Sequence, residues 1–519
     1  MKGKIRYQVE DRMVEKEVSY IPFRYIAAVL IALLEVAAIL TIVIVLCKYV
    51  PYFYLLVWAT EIACVIRIIA SDDNPDYKIP WLMLVLLVPV AGFMCYFLFY
   101  SRKLKRKYVR RLSMLKQQGT SDDSAAFANL EAEEPLVATQ ARMLCKVADS
   151  HLFSGTSQQY FPLGEDMDAQ MLRDLRRAEK FISMEYFIVE EGLFWNSILE
   201  ILKEKAAAGV EVRVVYDDIG CIMTLPGNYD QILRGFGIEA VPFSKLKGNA
   251  DSEFNNRSHR KITVIDGIIG YTGGVNIADE YINRIEKYGH WKDVGVRLEG
   301  AAVRELTRLF LVDYGINVRK MPEAKHDYFP EYVREDQGYL IPFGDGPSPI
   351  YERRVGKCVI QNMLNQATRY VCIMTPYLII DNELCQTIEN TAVRGVNVKL
   401  ILPHVPDKKL VFEMTRSHYR RLMDAGVEIY EYEPGFVHGK CYLADDEVTM
   451  VGTSNLDYRS LVHHFENGVW MYRCRCIDEI RTDFADTLKK CIRMDDSKVN
   501  WTLPQRFLRA VMKVFAPML

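Results

Sequence analysis

The chain has 519 residues, 50% of them hydrophobic, enough for two or three domains and a large core. Its 65 lysines and arginines nearly balance 67 aspartates and glutamates, so a net charge of -2 excludes a global pull toward nucleic acid and leaves any electrostatic recognition local. The twelve cysteines are scattered, with Cys474 and Cys476 as the one close pair and no C-x2-C, which excludes a zinc ribbon or dithiol motif and fits apolar fillers in a reducing compartment.

Residues 1–24 form a charged N-terminal segment; with Glu10, Asp11, Glu15 and Glu17 ahead of the first apolar run, it is not a cleaved signal peptide. Residues 25–100 carry three apolar runs: Tyr25 to Leu46, broken by Glu35; Tyr52 to Ala70, with Glu61 and Arg67; and Ile79 to Tyr100, uncharged. A span needs roughly 20 apolar residues, so these predict an α-helical transmembrane anchor of two or three helices, the third run the clearest and the second the weakest. Glu35, Glu61 and Arg67 pair inside a bundle or face water. The basic run from Ser101 to Arg111 follows the last span, and such runs stay cytoplasmic, which puts the rest of the chain on that side; it also suits anionic headgroups. Residues 101–150 thus read as basic exit and linker, the polar stretch from Gln117 to Glu134 being the linker proper.

Beyond it strands and helices alternate. Over 151–330, Phe181 to Val189 reads as a buried strand, Asn196 to Ala208 as a helix closed by Gly209, and Val210 to Tyr216 and Gly237 to Pro242 as further strands. Residues 331–519 repeat the order: strand Tyr370 to Ile380, helix Asn382 to Arg394 capped by Gly395, strands Val396 to Leu402 and Val427 to Tyr432. This predicts two similar α/β halves packed face to face, joined near Met321 to Pro347. The end, Leu503 to Leu519, is an amphipathic helix, packed on the core or lying on a membrane surface.

Each half closes on the same motif. Residues 259–276 and 438–455 both read H-x-K-x4-D-x6-G-x2-N, five fixed positions at one spacing, so the site is duplicated. Alternation along a strand projects His259 with Lys261, and His438 with Lys440, to one side. Asn276 and Asn455 lie beyond a turn that can return each amide to its histidine and lysine. Two histidines, two lysines and two asparagines then meet in one cleft. The lysines and asparagines hold phosphodiester oxygens, one histidine attacks phosphorus, and the other protonates the departing alkoxide. No metal or other cofactor is required, since lysine is a poor ligand and the spacing matches no zinc or two-metal site.

Asp266 and Asp445 stand seven residues after their histidines, on the opposite strand face and, at about 3.3 Å per residue, some 20 Å away, which predicts turn-forming or ion-pairing roles. The carboxylates that fix the histidine tautomers must come from elsewhere, and Asp293 and Glu466, 34 and 28 residues after His259 and His438, are the candidates. The adjacent His463 and His464, read as strand residues, face opposite ways and suit no metal.

With these residues the chain resembles the phospholipase D superfamily and, over nearly its full length, its bacterial cardiolipin synthases. The resemblance rests on both motifs, the N-terminal spans with Asn74-Pro-Asp-Tyr-Lys-Ile-Pro-Trp81, Asn256 to Lys261, Gly273 to Asn276, Thr375-Pro-Tyr377, Gly452 to Ser460 and Ala516 to Leu519. The family signature places Asp266 and Asp445 in the active site with His259, Lys261, His438 and Lys440. It implies a phosphatidyltransferase in the cell membrane, multi-pass, that uses phosphatidylglycerol as donor and acceptor: His259 forms a phosphatidyl-histidine, and His438 protonates the departing glycerol and then activates the acceptor. The alternatives are a phospholipase D or phosphatidylserine synthase with another acceptor. A nuclease is disfavoured, since no basic, aromatic-interleaved track runs through the catalytic body, and two complete motifs argue against an inactive scaffold. The two halves complete one site, so no dimer is required.

Overall fold

The computed structural model describes residues 2–9, 12–19, scattered positions in 30–50, 52–99, 123–245, 256–321, 323–348, 350–499 and 501–518. The chain divides into two compact units: residues 1–103 with 246–256 and 502–519, and residues 104–245 with 257–501.

In the first unit, Lys2–Val9 and Arg12–Ser19 pair as an antiparallel hairpin, an element not expected from the sequence. Most of the run from Tyr25 to Leu46, Glu35 and the whole basic run from Ser101 lie outside the described residues. Phe53–Ala70 is an 18-residue helix, 11% buried, and among the described residues it alone is long and apolar enough to cross a bilayer. The expected ranking of the second and third runs is therefore reversed. Ile79 to Tyr100 is not one span but parts of two helices, Pro75–Leu87 and Pro89–Phe99. Proline at position 89 supplies the reason: with no N–H to donate it cannot extend the hydrogen-bond ladder of the preceding helix. The second helix folds close to the first, where a side chain on Gly92 would come within 2.3 Å of the Leu84 carbonyl. At about 1.5 Å per residue neither piece matches a hydrocarbon core about 30 Å thick. The C-terminal helix Leu503–Phe515, opened by a Thr502–Gln505 capping box, packs against Pro75–Leu87. It buries Met512 and leaves Leu503 79% and Phe507 73% exposed.

The second unit begins with a correction. The described part of the expected linker, from Asp123, is a helix, Ser124–Glu133, followed at once by Pro135–Ala148. Ala126, Leu130, Ala138, Ala141 and Leu144 are buried, an apolar stripe that the polar residues between them obscured.

Two sheets then form in one strand order. The first runs Thr156–Phe161, Gly295–Gly300, Ile269–Gly273, Lys261–Ile265, Phe181–Tyr186, Glu211–Asp217, Glu239–Phe243. The second runs Tyr339–Asp345, Glu466–Tyr472, Val448–Gly452, Cys441–Ala444, Tyr370–Met374, Asn397–Pro403, Glu428–Tyr432, with Cys491–Arg493 added at its edge. In both, three parallel strands adjoin an antiparallel group that contains the motif hairpin. The parallel strands are buried and rich in β-branched residues, as sheets covered by helices on both faces must be. Helices Leu193–Ala207 and Asn382–Val393 follow the first parallel strands, and Gly209 and Gly395 behind them take φ of +90° and +94°, which permits the turn into the next strand. The strand expected over Tyr370 to Ile380 stops at Met374 ahead of Pro376, and Leu378–Ile379 pairs separately with Leu456–Asp457.

One core joins the halves. Leu306, Leu309 and Phe310 of helix Val303–Asn317 belong to the same cluster as Val294 and Val296 of the first half and Leu340, Val469 and Met471 of the second. Arg260, inside the first motif, crosses the junction: its guanidinium donates to Asp313 at 2.8 Å and to the Glu466 carbonyl at 3.0 Å. Removing one partner of such a buried pair costs about 3–5 kcal/mol. Arg260→Ala is therefore expected to lower the thermal unfolding temperature of the detergent-purified chain far more than Arg420→Ala, whose partner pair is exposed.

Candidate active site

The sheets place the motif histidines. Lys261 pairs with Tyr186 and Cys441 with Met374, each the last residue of a parallel strand, so His259 and His438 emerge at the carboxyl ends of those strands. There the halves exchange backbone. The His259 N–H donates to the Phe465 carbonyl at 2.8 Å, and the His438 N–H donates to the Lys292 carbonyl at 2.7 Å. Gly435–Val437 runs parallel to His290–Lys292, and Ser258 bridges Phe465 in the same sense.

This exchange delivers a carboxylate to each imidazole from the opposite half. His259 Nδ1 lies 3.0 Å from both Glu466 oxygens, and His438 Nδ1 lies 2.7 Å from Asp293 Oδ2. A carboxylate at Nδ1 favours the tautomer with its proton there and leaves Nε2 for chemistry. The candidate acids thus meet histidines, each the one of the other motif. Glu466 also accepts from the Ser460 hydroxyl at 2.5 Å and from the Thr453 hydroxyl. Asp293 accepts from the Val294 N–H at 2.9 Å and the Trp291 indole at 3.4 Å. Ser460 and Thr453 escaped the sequence reading, though both stand in the Gly452 to Ser460 stretch that follows the second motif hairpin.

Lys261 and Lys440 are buried beside the histidines, although the strands begin only at Lys261 and Cys441 and both histidines precede them, so strand alternation is not what pairs them. Lys261 Nζ donates to the His259 carbonyl at 2.7 Å, while Lys440 Nζ donates to the His438 carbonyl and stands 3.0 Å from His438 Nε2. The asparagines are less free than expected. Asn276 accepts from the Ile188 N–H at 3.1 Å and donates to the Tyr281 hydroxyl at 2.8 Å, and Asn455 donates to Asp457 at 3.0 Å. Each amide thereby braces its own half and keeps one N–H in hand.

Asp266 and Asp445 do not join this cleft. Asp266 accepts from the N–H groups of Glu179, Lys180 and Phe181, each at 2.8 Å, at the far end of the strand pair. Asp445 accepts from those of Thr368, Arg369 and Tyr370 at 2.6, 2.9 and 2.9 Å. Their φ angles of 55° and 56° put both in the left-handed region that a tight turn demands and that aspartate tolerates. Their grouping with the histidines and lysines through the family signature is corrected by this placement. His463 and His464 are not strand residues either: Arg459–His463 is a wide helical turn, the strand starts at Glu466, and His464 is buried beside His259.

The two histidines have different surroundings. His438 is enclosed by Tyr281, Trp291 and Phe436, with ring centroids 5.3, 5.4 and 6.0 Å away. His259 meets Phe187 at 5.0 Å and His464 at 5.5 Å. Burial, reinforced by Lys440, pushes His438 down to about 4, and burial with Lys261 and His464 holds His259 well below the usual imidazole range. Lys440 is pushed down by burial to about 8. Burial raises Asp293 too, but the charges of His438 and Lys440 outweigh it and keep the carboxylate ionised. Glu466 is pushed by burial up to about 8 against the pull of Lys261, Ser460 and Thr453. One dyad holds a carboxylate and the other an acid that titrates near neutrality.

Paired histidine–lysine motifs in a duplicated α/β fold define a phospholipase D-like enzyme. Residues 360–488 match the family described as cardiolipin synthase, PLD-like domain, and residues 62–99 match the phospholipase D-nuclease N-terminal family. The chain is 39% identical over 467 residues to an uncharacterized protein of Streptococcus mutans, covering 88% of this chain and 100% of that one. It is 30% identical over 482 residues to a cardiolipin synthase of Halalkalibacterium halodurans, covering 90% of this chain and 94% of that one. The phosphatidylserine synthase of Haemophilus influenzae shares the fold, with a TM-score of 0.55 at 15% identity over 73% of this chain and 98% of its own. The chain belongs to the cardiolipin synthase family and is a phosphatidyltransferase.

The geometry separates chemistry from turn formation. Asp445→Asn forfeits charge-assisted bonds from three backbone N–H groups, worth about 1.5–3 kcal/mol each in general, and is expected to lower the melting temperature while leaving kcat within about threefold. Burial raises the Asp445 carboxyl but the N–H groups of Thr368, Tyr370 and Arg369 outweigh it, so its folded value lies below the unfolded one. Its stabilisation is complete above the unfolded value of about 3.9 and is lost as pH falls through the depressed one, so the variant's melting deficit should shrink in acid.

Proposed function

We propose that the protein transfers the phosphatidyl group of one phosphatidylglycerol to the terminal hydroxyl of another, releasing glycerol and forming cardiolipin through a phosphatidyl-histidine on His259. The observation that carries this reading is the pair of buried imidazoles, each held at Nδ1 by a carboxylate of the opposite half, with two lysines beside them. His259 Nε2 attacks phosphorus and His438 gives its proton to the glycerol oxygen that leaves. His438 then takes the proton of the acceptor hydroxyl, which displaces the histidine. Lys261, Lys440 and the spare N–H groups of Asn276 and Asn455 neutralise charge on the non-bridging oxygens. A bound phosphodiester also brings an anion to a buried imidazole, which raises its pKa and supplies the protonated His438 that the leaving group needs.

Residues 151–330 and 331–519 act as the two halves of this one site in our reading, with the final helix serving the anchor. The anchor of residues 25–100 makes the protein multi-pass in the cell membrane, and the basic run of 101–111 keeps the catalytic body cytoplasmic. Lipid substrates then enter from the bilayer, and a water-poor cleft favours an alcohol acceptor over hydrolysis.

The test is purified full-length protein in detergent with phosphatidylglycerol alone. Cardiolipin and glycerol in equal amounts are expected; phosphatidic acid would mark a hydrolase, and no turnover would sink the reading. His259→Ala and His438→Ala should each lower the rate more than about 10³-fold, and acid-quenched lipid adduct should map to His259. Lys440 loses its charge above about pH 8, so the rate should decline from there upward.

A further inference from the structure

On the side of His438 the second half adds a polar wall that the first half lacks. Leu378 pairs with Leu456, directly after Asn455, and Val189 pairs with Ile277, directly after Asn276, so Tyr377 and Ile188 stand at corresponding positions one residue earlier. Four residues past the ends of strands Asn397–Pro403 and Glu211–Asp217 stand Asp407 and the buried Cys221. A phenol and a carboxylate thus take the places of an aliphatic chain and a thiol.

The pair is built into the cleft. Tyr377 packs on the cluster that holds Tyr281, Trp291 and Phe436, with its ring centroid 6.4 Å from that of Phe436, and so extends the aromatic enclosure of His438. Its hydroxyl donates to Asp407 Oδ2 at 2.6 Å. The loop that carries Asp407 bonds the strand leading into His438, from the Val405 N–H to the Gly435 carbonyl at 3.4 Å, and the Asp407 charge acts on Lys440 and on the Tyr281 hydroxyl. Among the described residues Asp407 Oδ1 accepts no hydrogen bond, and the side chain stays 16% exposed. A carboxylate is a poor neighbour for a phosphodiester unless a hydrogen donor meets it. Lys408 Nζ, 3.9 Å from Oδ2, and the nearby Lys440 already offset its charge, which favours a neutral hydroxyl over a further cation.

We propose that Asp407 and Tyr377 form the subsite for the glycerol headgroup and select the alcohol that leaves and the alcohol that attacks. The inference rests on the reading of His438 as the acid and base of both displacements. In-line displacement sets the departing oxygen opposite His259, on the side of His438, so the rest of the glycerol extends past that ring. The middle hydroxyl gives its hydrogen to Asp407 Oδ1, and the terminal hydroxyl of the departing glycerol gives its own to the Tyr377 oxygen, whose hydrogen is committed to Oδ2. The middle hydroxyl is present both in that glycerol and in the phosphatidylglycerol that replaces it. One subsite therefore serves both displacements.

In the test, full-length protein in detergent receives phosphatidylglycerol with equimolar deuterated glycerol, 1-propanol and ethanolamine, and mass spectrometry gives the ratio of the phosphatidyl products. That ratio reports selection by one intermediate and does not move when a variant is merely less folded. The wild type is expected to prefer glycerol to 1-propanol by at least about tenfold and also to prefer it to ethanolamine; Asp407→Ala and Tyr377→Phe should each cut the glycerol preference over 1-propanol about 10-fold, with Asp407→Asn, which keeps an acceptor oxygen, in between. Should Asp407→Ala melt early, Tyr377→Phe removes a single oxygen and carries the readout. A wild type without preference for glycerol, one that prefers ethanolamine, or a ratio that neither Tyr377→Phe nor Asp407→Ala changes would overturn the subsite alone. A wild type that forms none of these products would sink the phosphatidylglycerol reading and the subsite with it.

Discussion

The structure depends on an exchange between its halves. Each motif histidine leads into a strand of its own sheet, yet its backbone N–H and its imidazole are both satisfied by a segment of the other half, through Phe465 and Glu466 for His259 and through Lys292 and Asp293 for His438. A half on its own would lack the partner of its own histidine and of its own carboxylate. Arg260 joins the same seam by bonding Asp313 of the first half and the Glu466 carbonyl of the second. Folding of the pair and assembly of the site are thus one event, and the cleft cannot form with one dyad in place and the other absent.

The motif hairpin serves two ends of the sheet. At the cleft end it presents histidine and lysine; at the other, its aspartate closes the turn by binding three successive N–H groups at the start of the first parallel strand. Those N–H groups lead into the strand that pairs with the motif strand, Phe181 and Tyr370 being its first residues, so the aspartate ties the turn to that strand's start. The turn lies about 20 Å by strand rise from the histidine at the other end of the same hairpin. This is how the aspartate can belong to the signature without touching the chemistry.

Much of this was legible locally. Buried strands, the helices with their glycine caps and the duplication follow from periods of two and 3.6 residues and from spacing. The opposed face and distance of Asp266 and Asp445 came from the same alternation. The exchange was not legible, because the offsets of 34 and 28 residues relate each acid to its own motif, whereas a partner in the other half lies 145 or 207 residues away, beyond any local pattern. Hydropathy alone likewise ranked the run ending at Tyr100 above Phe53–Ala70, since it weighs composition and ignores the break that Pro89 imposes. Polar composition hid the buried stripe of Ser124–Glu133, and no local pattern marks the Ile188 N–H and Tyr281 hydroxyl that engage Asn276 or the Asp457 carboxylate that engages Asn455.

The duplicated site is symmetric in backbone and unequal in chemistry. Gly274 and Thr453 occupy equivalent positions. A side chain at Gly274 would come within 2.0 Å of Asp293 Oδ1, so glycine leaves room for a short acid pressed against a backbone N–H and close to Lys440. Thr453 instead fills that space and gives its hydroxyl to the longer Glu466, which Ser460 meets from the other oxygen. The first arrangement puts a short carboxylate behind His438, inside an aromatic enclosure. The second puts a longer acid behind His259, held by two hydroxyls, with the His464 imidazole beside the ring. Small differences at three paired positions, Gly274 and Thr453, Asp293 and Glu466, Trp291 and His464, thus give two dyads of one backbone plan different surroundings.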